Sequence, residues 1–253
     1  MGFRNLIKGL GILGSRPIAN AALAAVAGAM MIAAPACAGT VVQVLGTDDI
    51  YNAGAPGTED GTTPIGINVT GLTSITFSNA TGLVYLNLTS GDNLNDADGI
   101  GSAPSFSSNT GANSIAGLTA PNAGYITGVF LGSTTSPTPS PLDFSGGTSF
   151  TSLSPELQQA FFVGDGLTGD GTGTTQTFYV PPGATMLYLG ISDACGYNGS
   201  PSCYGDNGGF FDITVNGLSA VPEPSTWSLM ILGLGMLMAI VRRDRRRQGL
   251  AAA

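Results

Sequence analysis

Apolar positions between Gly39 and Val221 come in short runs, several with a period of two. Ile65, Ile67 and Val69 alternate with Gly66, Asn68 and Thr70, the pattern of a strand that buries one face. Thr40–Leu45 (TVVQVL), Leu72–Ser78 (LTSITFS), Leu83–Leu88 (LVYLNL), Tyr125–Leu131 (YITGVFL), Thr177–Val180 (TFYV), Thr185–Ile191 (TMLYLGI) and Phe210–Val215 (FFDITV) are further runs of this kind. Gly, Asn, Asp and Ser clusters divide them, and these residues supply turns at little steric cost. The pattern predicts an all-β domain, a β-sandwich whose sheets each turn one face to the core. A single helix is expected there: Ser154 as N-cap, Pro155 and Glu156 in the first turn, and Leu157, Ala160 and Phe161 buried. Ser133–Pro141 (STTSPTPSP) reads as an exposed extended loop, because its prolines remove ladder donors.

The pattern breaks at both ends. Arg4, Lys8 and Arg16 precede the small apolar run Ala19–Ala34, and Ala36-Cys37-Ala38 follows it. This predicts a signal helix over residues 1–38, cleaved between Ala38 and Gly39. Lipoprotein processing at Cys37 is the alternative. At the other end, Ser225–Val241 is uncharged and mostly apolar over seventeen residues, about 25 Å as a helix, the lower limit for a bilayer core. The reading is a single transmembrane helix, with Trp227 at the outer interface and Arg242, Arg243, Arg245, Arg246 and Arg247 as a cytoplasmic anchor. A buried hairpin followed by a solvated basic tail is the alternative. The domain plan is therefore signal peptide 1–38, exported β domain 39–220, C-terminal signal 221–247 and a disordered tail over 248–253.

Pro222, Glu223 and Pro224 stand directly before the apolar segment and the arginines close it. This ordered triplet, segment and basic end resembles the PEP-CTERM sorting signal of Gram-negative bacteria. The resemblance implies processing by an exosortase as well as by signal peptidase. It also implies a precursor anchored in the inner membrane, and delivery to the cell surface or to an exopolysaccharide matrix of the kind found in biofilms.

Charge separates the ends from the middle. All eight basic residues lie in the leader and the tail, whereas every acid but Glu223 and Asp244, of sixteen, lies between Gly39 and Val221. That region has no Lys, Arg or His. Nucleic-acid binding, which needs cations against phosphate, is excluded. So are Ser-His-Asp and Cys-His catalysis and histidine zinc sites. The chemistry left is that of carboxylate, amide and main-chain oxygen, the ligand set of Ca²⁺, which would also relieve the repulsion among so many acids. After loss of Cys37, Cys195 and Cys203 remain, and in an oxidising compartment the plain reading is a disulfide, with two buried thiols as the alternative.

The densest set of oxygen ligands is Val180–Val215. A strand ends at Asp193, a loop with both cysteines follows, and Asp206-Asn207-Gly208-Gly209 leads into the last strand. Asp193, Asp206 and Asn207, with a carbonyl near Cys203, make a candidate Ca²⁺ site at one edge of the sandwich. The segments Val180-Pro181, Ser192-Asp193 and Tyr204-Gly205-Asp206-Asn207-Gly208-Gly209-Phe210 resemble the final hairpin of the galactophilic lectins of the PA-IL type. The resemblance implies a sandwich of the galactose-binding-like, jelly-roll type. It implies Ca²⁺ held by Asp193, Asp206 and Asn207 side chains and the Cys203 carbonyl, with a further carbonyl near Tyr85 or Leu86. In that family the sugar binds the ion through two hydroxyls, and a histidine helps select galactose; this chain has none. The acidic loops Asp92–Gly99 and Gly164–Gly173 fit neither an EF-hand nor a nine-residue repeat and read as solvated turns. Paired carboxylates without a substrate cleft do not make a glycosidase. The expectation is a non-enzymatic, lectin-like surface or matrix protein that binds Ca²⁺ and exopolysaccharide or another glycan. The alternative is a self-assembling structural protein with no small ligand.

Overall fold

The computed structural model describes residues 39–56, 60–87, 94–101, 106–133, 137–218, 230–238, 240 and 242–243. The predicted signal peptide with Ala38, the Pro222, Glu223 and Pro224 triplet, Arg245, Arg246, Arg247 and the tail 248–253 lie outside them.

The first sheet is built on long neighbours in an antiparallel order. Its path runs β1 (Thr40–Leu45), β16 (Asn207–Asn216), β3 (Ser74–Leu86), β13 (Thr177–Tyr179) and β9 (Ser152–Leu153), with β4 (Leu94–Asn95) paired to β3. Only β13 and β9 run parallel here. β3 joins two of the predicted runs into one strand of thirteen residues. The join needs positive φ at Asn79 (54°) and Gly82 (101°), opposite a register shift between Asp212 and Thr214, and this bends the long pair as a β-bulge does. A Cβ at Gly82 would strike the Phe210 carbonyl, so the approach requires glycine.

The second sheet has the order β10 (Ala160–Phe162), β7 (Ile126–Gly132), β14 (Ala184–Ile191) and β2 (Ile65–Asn68), all antiparallel. A third follows the order β15 (Asn198–Gly199), β5 (Ser107–Ala112), β6 (Ile115–Ala120) and β8 (Leu142–Asp143), and β11 (Leu167–Gly169) pairs with β12 (Thr172–Thr175).

Two clusters of buried side chains show how the sheets stack. Val44, Ile75, Phe77, Phe178, Phe211 and Ile213 from the first sheet pack with Ile67, Phe130, Phe161, Leu187 and Leu189 from the second. Val129, Ala160 and Phe162 from the second sheet, with Tyr125 just before β7, pack with Ile115, Leu118 and Ala120 of the third and with Ile50 and Tyr51. β7 and β10 of the second sheet are thus buried on both faces, and β7 reads as a near-continuous apolar run for that reason. The expected one-sided burial holds for β1 and β16 but not for β7. In β2 the expected apolar face is incomplete, since Ile67 and Val69 are buried while Ile65 is 38% exposed.

The predicted helix at Ser154–Phe161 does not form. Phe161 and Phe162 belong to different cores, and only an extended chain sends adjacent side chains to opposite faces. Gln158 takes φ 64°, its N–H donates to the Phe130 carbonyl at 2.9 Å, and β10 pairs directly with β7. Of the proline-rich loop, 137–141 lies outside any strand or helix and is mostly exposed, as expected. Strands β5 and β6 were not expected, because SSNTGA and IAGLTA carry small residues where most strands carry branched or aromatic ones.

Near the C-terminus, 230–238, 240 and 242–243 are helical and exposed, Arg242 and Arg243 included. Among the described residues no helix is long and apolar enough to cross a membrane. The predicted span Ser225–Val241 begins outside them.

Candidate functional site

The end of β14 delivers Asp193 to the edge of the first two sheets, and a buried tyrosine fixes it there. The Tyr204 hydroxyl accepts from the Asp193 N–H at 3.0 Å and donates to the Ile191 carbonyl at 3.2 Å. Between Asp193 and Tyr204 the chain makes a 3₁₀ turn at Cys195–Tyr197, and the Cys195–Cys203 disulfide closes the loop with Cα atoms 5.3 Å apart. The predicted cross-link is therefore present. A second 3₁₀ turn, Tyr204–Asp206, leads to Asn207 at the start of β16, opposite Leu86 of β3.

Asp193 and Asn207 are both 4% exposed and touch. The Asn207 Nδ2 donates to Asp193 Oδ2 at 2.9 Å and to the Gly46 carbonyl at 3.2 Å. Asp193 Oδ1 accepts from the Ala194 N–H at 2.8 Å. Asn207 Oδ1 is buried and makes no hydrogen bond, an arrangement that costs about 1 to 3 kcal/mol for a polar atom removed from water. A cavity of about 250 Å³ opens beside them, lined by Leu86, Asn87, Asp193, Ala194, Cys195, Gly196, Tyr197, Cys203 and Asp206. Three of the four predicted ligand residues thus line one cavity, and the fourth, Asn207, is bonded to one of them. Of Tyr85 and Leu86, near which a further carbonyl was expected, Leu86 lines the same cavity. Among the described residues no group of three or more His, Cys, Asp or Glu side chains is placed to hold a metal ion.

Electrostatics make the carboxylate unusual. Burial, added to by the charges of Asp206 and Asp60, raises the Asp193 pKa to about 7 against the hydrogen bonds from Asn207 and Ala194. No side-chain cation exists between Gly39 and Val221 to offset it. Such a carboxylate takes up either a proton or a hard cation.

Sequence reasoning missed two contributors. Asp60 reaches the loop from far away: its Oδ2 accepts from the Cys203 N–H at 2.6 Å and its Oδ1 from the Gly205 N–H at 3.3 Å. Tyr204 was read only as part of the turn motif, yet its hydroxyl is what orients Asp193.

The two acidic loops, expected to be separate solvated turns, meet instead. Asp98 is only 7% exposed, and its Oδ1 accepts from the Asp165 N–H at 2.9 Å. Asp96 Oδ1 accepts from the N–H groups of Asp98 and Ile100, and Asp165 accepts from those of Leu167 and Gly171. Burial raises the Asp98 pKa to about 7, opposed by the Asp165 N–H and reinforced by Asp165, Asp96 and Asp170. The start of the first loop, 92–93, lies outside the described residues.

Residues 220–247 match the PEP-CTERM protein-sorting motif. The motif implies an exported precursor, anchored in the membrane and processed by an exosortase. Comparison with curated proteins and with solved structures finds no match, and the resemblance to galactophilic lectins gains no support from either.

Proposed function

We propose that this chain is a non-enzymatic surface or matrix protein, sorted through its PEP-CTERM tail, whose β domain binds Ca²⁺ and through the ion a glycan. The transmembrane helix is Ser225–Val241, and the arginines that follow hold it in the inner membrane until the exosortase acts. The observation that carries the binding reading is the meeting of Asp193, Asp206, Cys203 and Leu86 on one cavity, next to a buried Asn207 Oδ1 that lacks a partner. A hard divalent ion answers both defects of the site, the uncompensated carboxylate and the unsatisfied amide oxygen. Asp193, Asp206 and Asn207 would hold the ion with the Cys203 and Leu86 carbonyls. When bound, it supplies positive charge and exchangeable positions for two hydroxyls of a sugar. The fold type that goes with this reading is the jelly-roll sandwich, extended by the third sheet.

Calorimetric titration of the full chain with Ca²⁺, followed by a glycan array with and without EDTA, tests the proposal. Saturable Ca²⁺ binding and EDTA-sensitive glycan binding are expected, and no binding of Ca²⁺ would sink it.

One feature favours the self-assembling alternative. Leu45, Phe210 and Leu83 face one another across β1, β16 and β3 and are 39%, 44% and 47% exposed. A row of that kind suits contact with another surface. Sedimentation of the full chain in detergent, wild type against Phe210→Ser, separates the two: loss of a larger species in the variant supports assembly.

A further inference from the structure

The Cys203–Asp206 turn carries a main-chain ligand and a carboxylate of the proposed Ca²⁺ site, and a residue on another part of the chain holds it. From that geometry we infer that Asp60 is the positioning residue of the site. This rests on the Ca²⁺ reading above and deepens it.

The chain just after Asp60 is anchored at Thr62. The Thr62 N–H donates to the Thr47 carbonyl at 2.8 Å, the Asp49 N–H donates to the Thr62 carbonyl at 3.1 Å, and the Thr62 hydroxyl donates to Asp48 Oδ1 at 2.8 Å. Between these anchors and Asp60 lies Gly61, where a Cβ would stand 2.8 Å from that of Asp49 and 3.3 Å from the Tyr204 side chain. The glycine lets the segment lie against Tyr204. From this position the two carboxylate oxygens of Asp60 receive different N–H groups of the turn, Cys203 and Gly205. Two charge-assisted bonds to one carboxylate hold the turn at two points.

The turn needs such a hold. Cys203 has φ 70°, the left-handed region that a residue with a side chain seldom adopts unaided. The disulfide restrains it on one side through Cys195 and Asp60 on the other. Asp60 does not line the cavity, so it acts through the turn and not as a ligand. Partners of this kind, outside the ligand set, set metal affinity by about 10- to 100-fold.

The test uses the full chain in detergent, titrated with Ca²⁺ by calorimetry and with Tb³⁺ by luminescence sensitised from the tyrosines near the site. Asp60→Ala is expected to weaken Ca²⁺ about 10- to 100-fold and to lower the Tb³⁺ signal at a fixed concentration. Asp60→Asn, which keeps one acceptor oxygen, should recover part of the affinity and carries the test if the alanine variant does not fold. Melting in EDTA is measured alongside. Affinity lost in step with the EDTA melting point would mark a merely structural role and overturn the inference. Wild-type affinity in both variants, with Asp193→Asn abolishing binding, would overturn it while leaving the Ca²⁺ reading intact. Absence of binding by the wild type would remove both.

Discussion

Asp193 and Asp98 are two buried carboxylates whose pKa values burial raises to about 7, each with other acids beside it and no cation in reach. Their surroundings differ in what is left over. Around Asp98 and its acidic neighbours, main-chain N–H groups of Asp98, Ile100, Asp165, Leu167 and Gly171 occupy carboxylate oxygens. Asp193 also accepts one bond on each oxygen, from Ala194 and Asn207, but beside it there are a cavity, a second carboxylate on its wall, and a buried amide oxygen with no partner. The number of acids in a turn therefore says little about a cation. What separates the two carboxylates is the cavity beside Asp193, on whose wall Asp206 also stands, and the partnerless amide oxygen of Asn207 next to it, because a cation needs room and several oxygens that converge on it.

Neutralising one carboxylate at a time separates the two loops most strongly. Asp193→Asn is expected to weaken Ca²⁺ by 100-fold or more, about 2.7 kcal/mol, whereas Asp98→Asn leaves the isotherm unchanged. Equal losses in calorimetry would mean that both loops hold ions.

Removal of the ion should come next in size. At a Ca²⁺ concentration of 100 times Kd the folded state gains about 2.7 kcal/mol, which for a domain of this length raises Tm by about 5 to 10 °C. The same scan on Asp193→Asn should show no difference between Ca²⁺ and EDTA, and on Asp98→Asn the full difference. A wild-type Tm indifferent to EDTA at that ratio would count against the site.

Reduction of Cys195–Cys203 opens a short loop and is expected to cost about 2 to 3 kcal/mol through the freed unfolded chain. Its native-state effects should concentrate at the Asp193 side. Hydrogen exchange after reduction should rise over 194–206 and stay level over 164–171. Uniform acceleration across both loops would show that the disulfide serves the fold as a whole.

The contrast between the two loops was only half legible in the sequence. The strand ending near Asp193, the turn at Asp206-Asn207 and the pairing of two cysteines follow from local pattern, and each is found. Asp60 left no signal, since its role is to accept two N–H bonds from a turn 143 and 145 positions away, and main-chain donors are silent in a sequence. Asp98 was misplaced as solvated for the same reason: its burial depends on a second loop folding over it. The fold shows a parallel limit. β1 and β14 were readable within a residue of their observed ends, but the third sheet was not, because Ser107–Ala112 buries its face with serine and asparagine. Leu157, Ala160 and Phe161 were read with a helical period, whereas two cores on either side of one strand account for the burial of the adjacent Phe161 and Phe162.

The smallest effect expected is a slope with pH, and it isolates Asp98. In EDTA the folded protein holds a proton on Asp98 up to about pH 7, whereas the unfolded chain sheds it near the ordinary carboxylate value of about 4. Between these values the folded state binds more protons than the unfolded, so stability falls as pH rises. The contribution is intact below pH 4 and is lost through about pH 7. Asp193 adds a slope of the same sign, as its pKa is raised in the same way. Asp98→Asn should therefore flatten urea midpoints measured from pH 4.5 to 8 without levelling them, and the double variant with Asp193→Asn should flatten them further. With Ca²⁺ present, the Asp193 share should vanish, because an ion on that carboxylate displaces its proton at every pH in the range, while the Asp98 share persists. A slope that Ca²⁺ leaves untouched in Asp98→Asn would mean that the ion does not sit on Asp193.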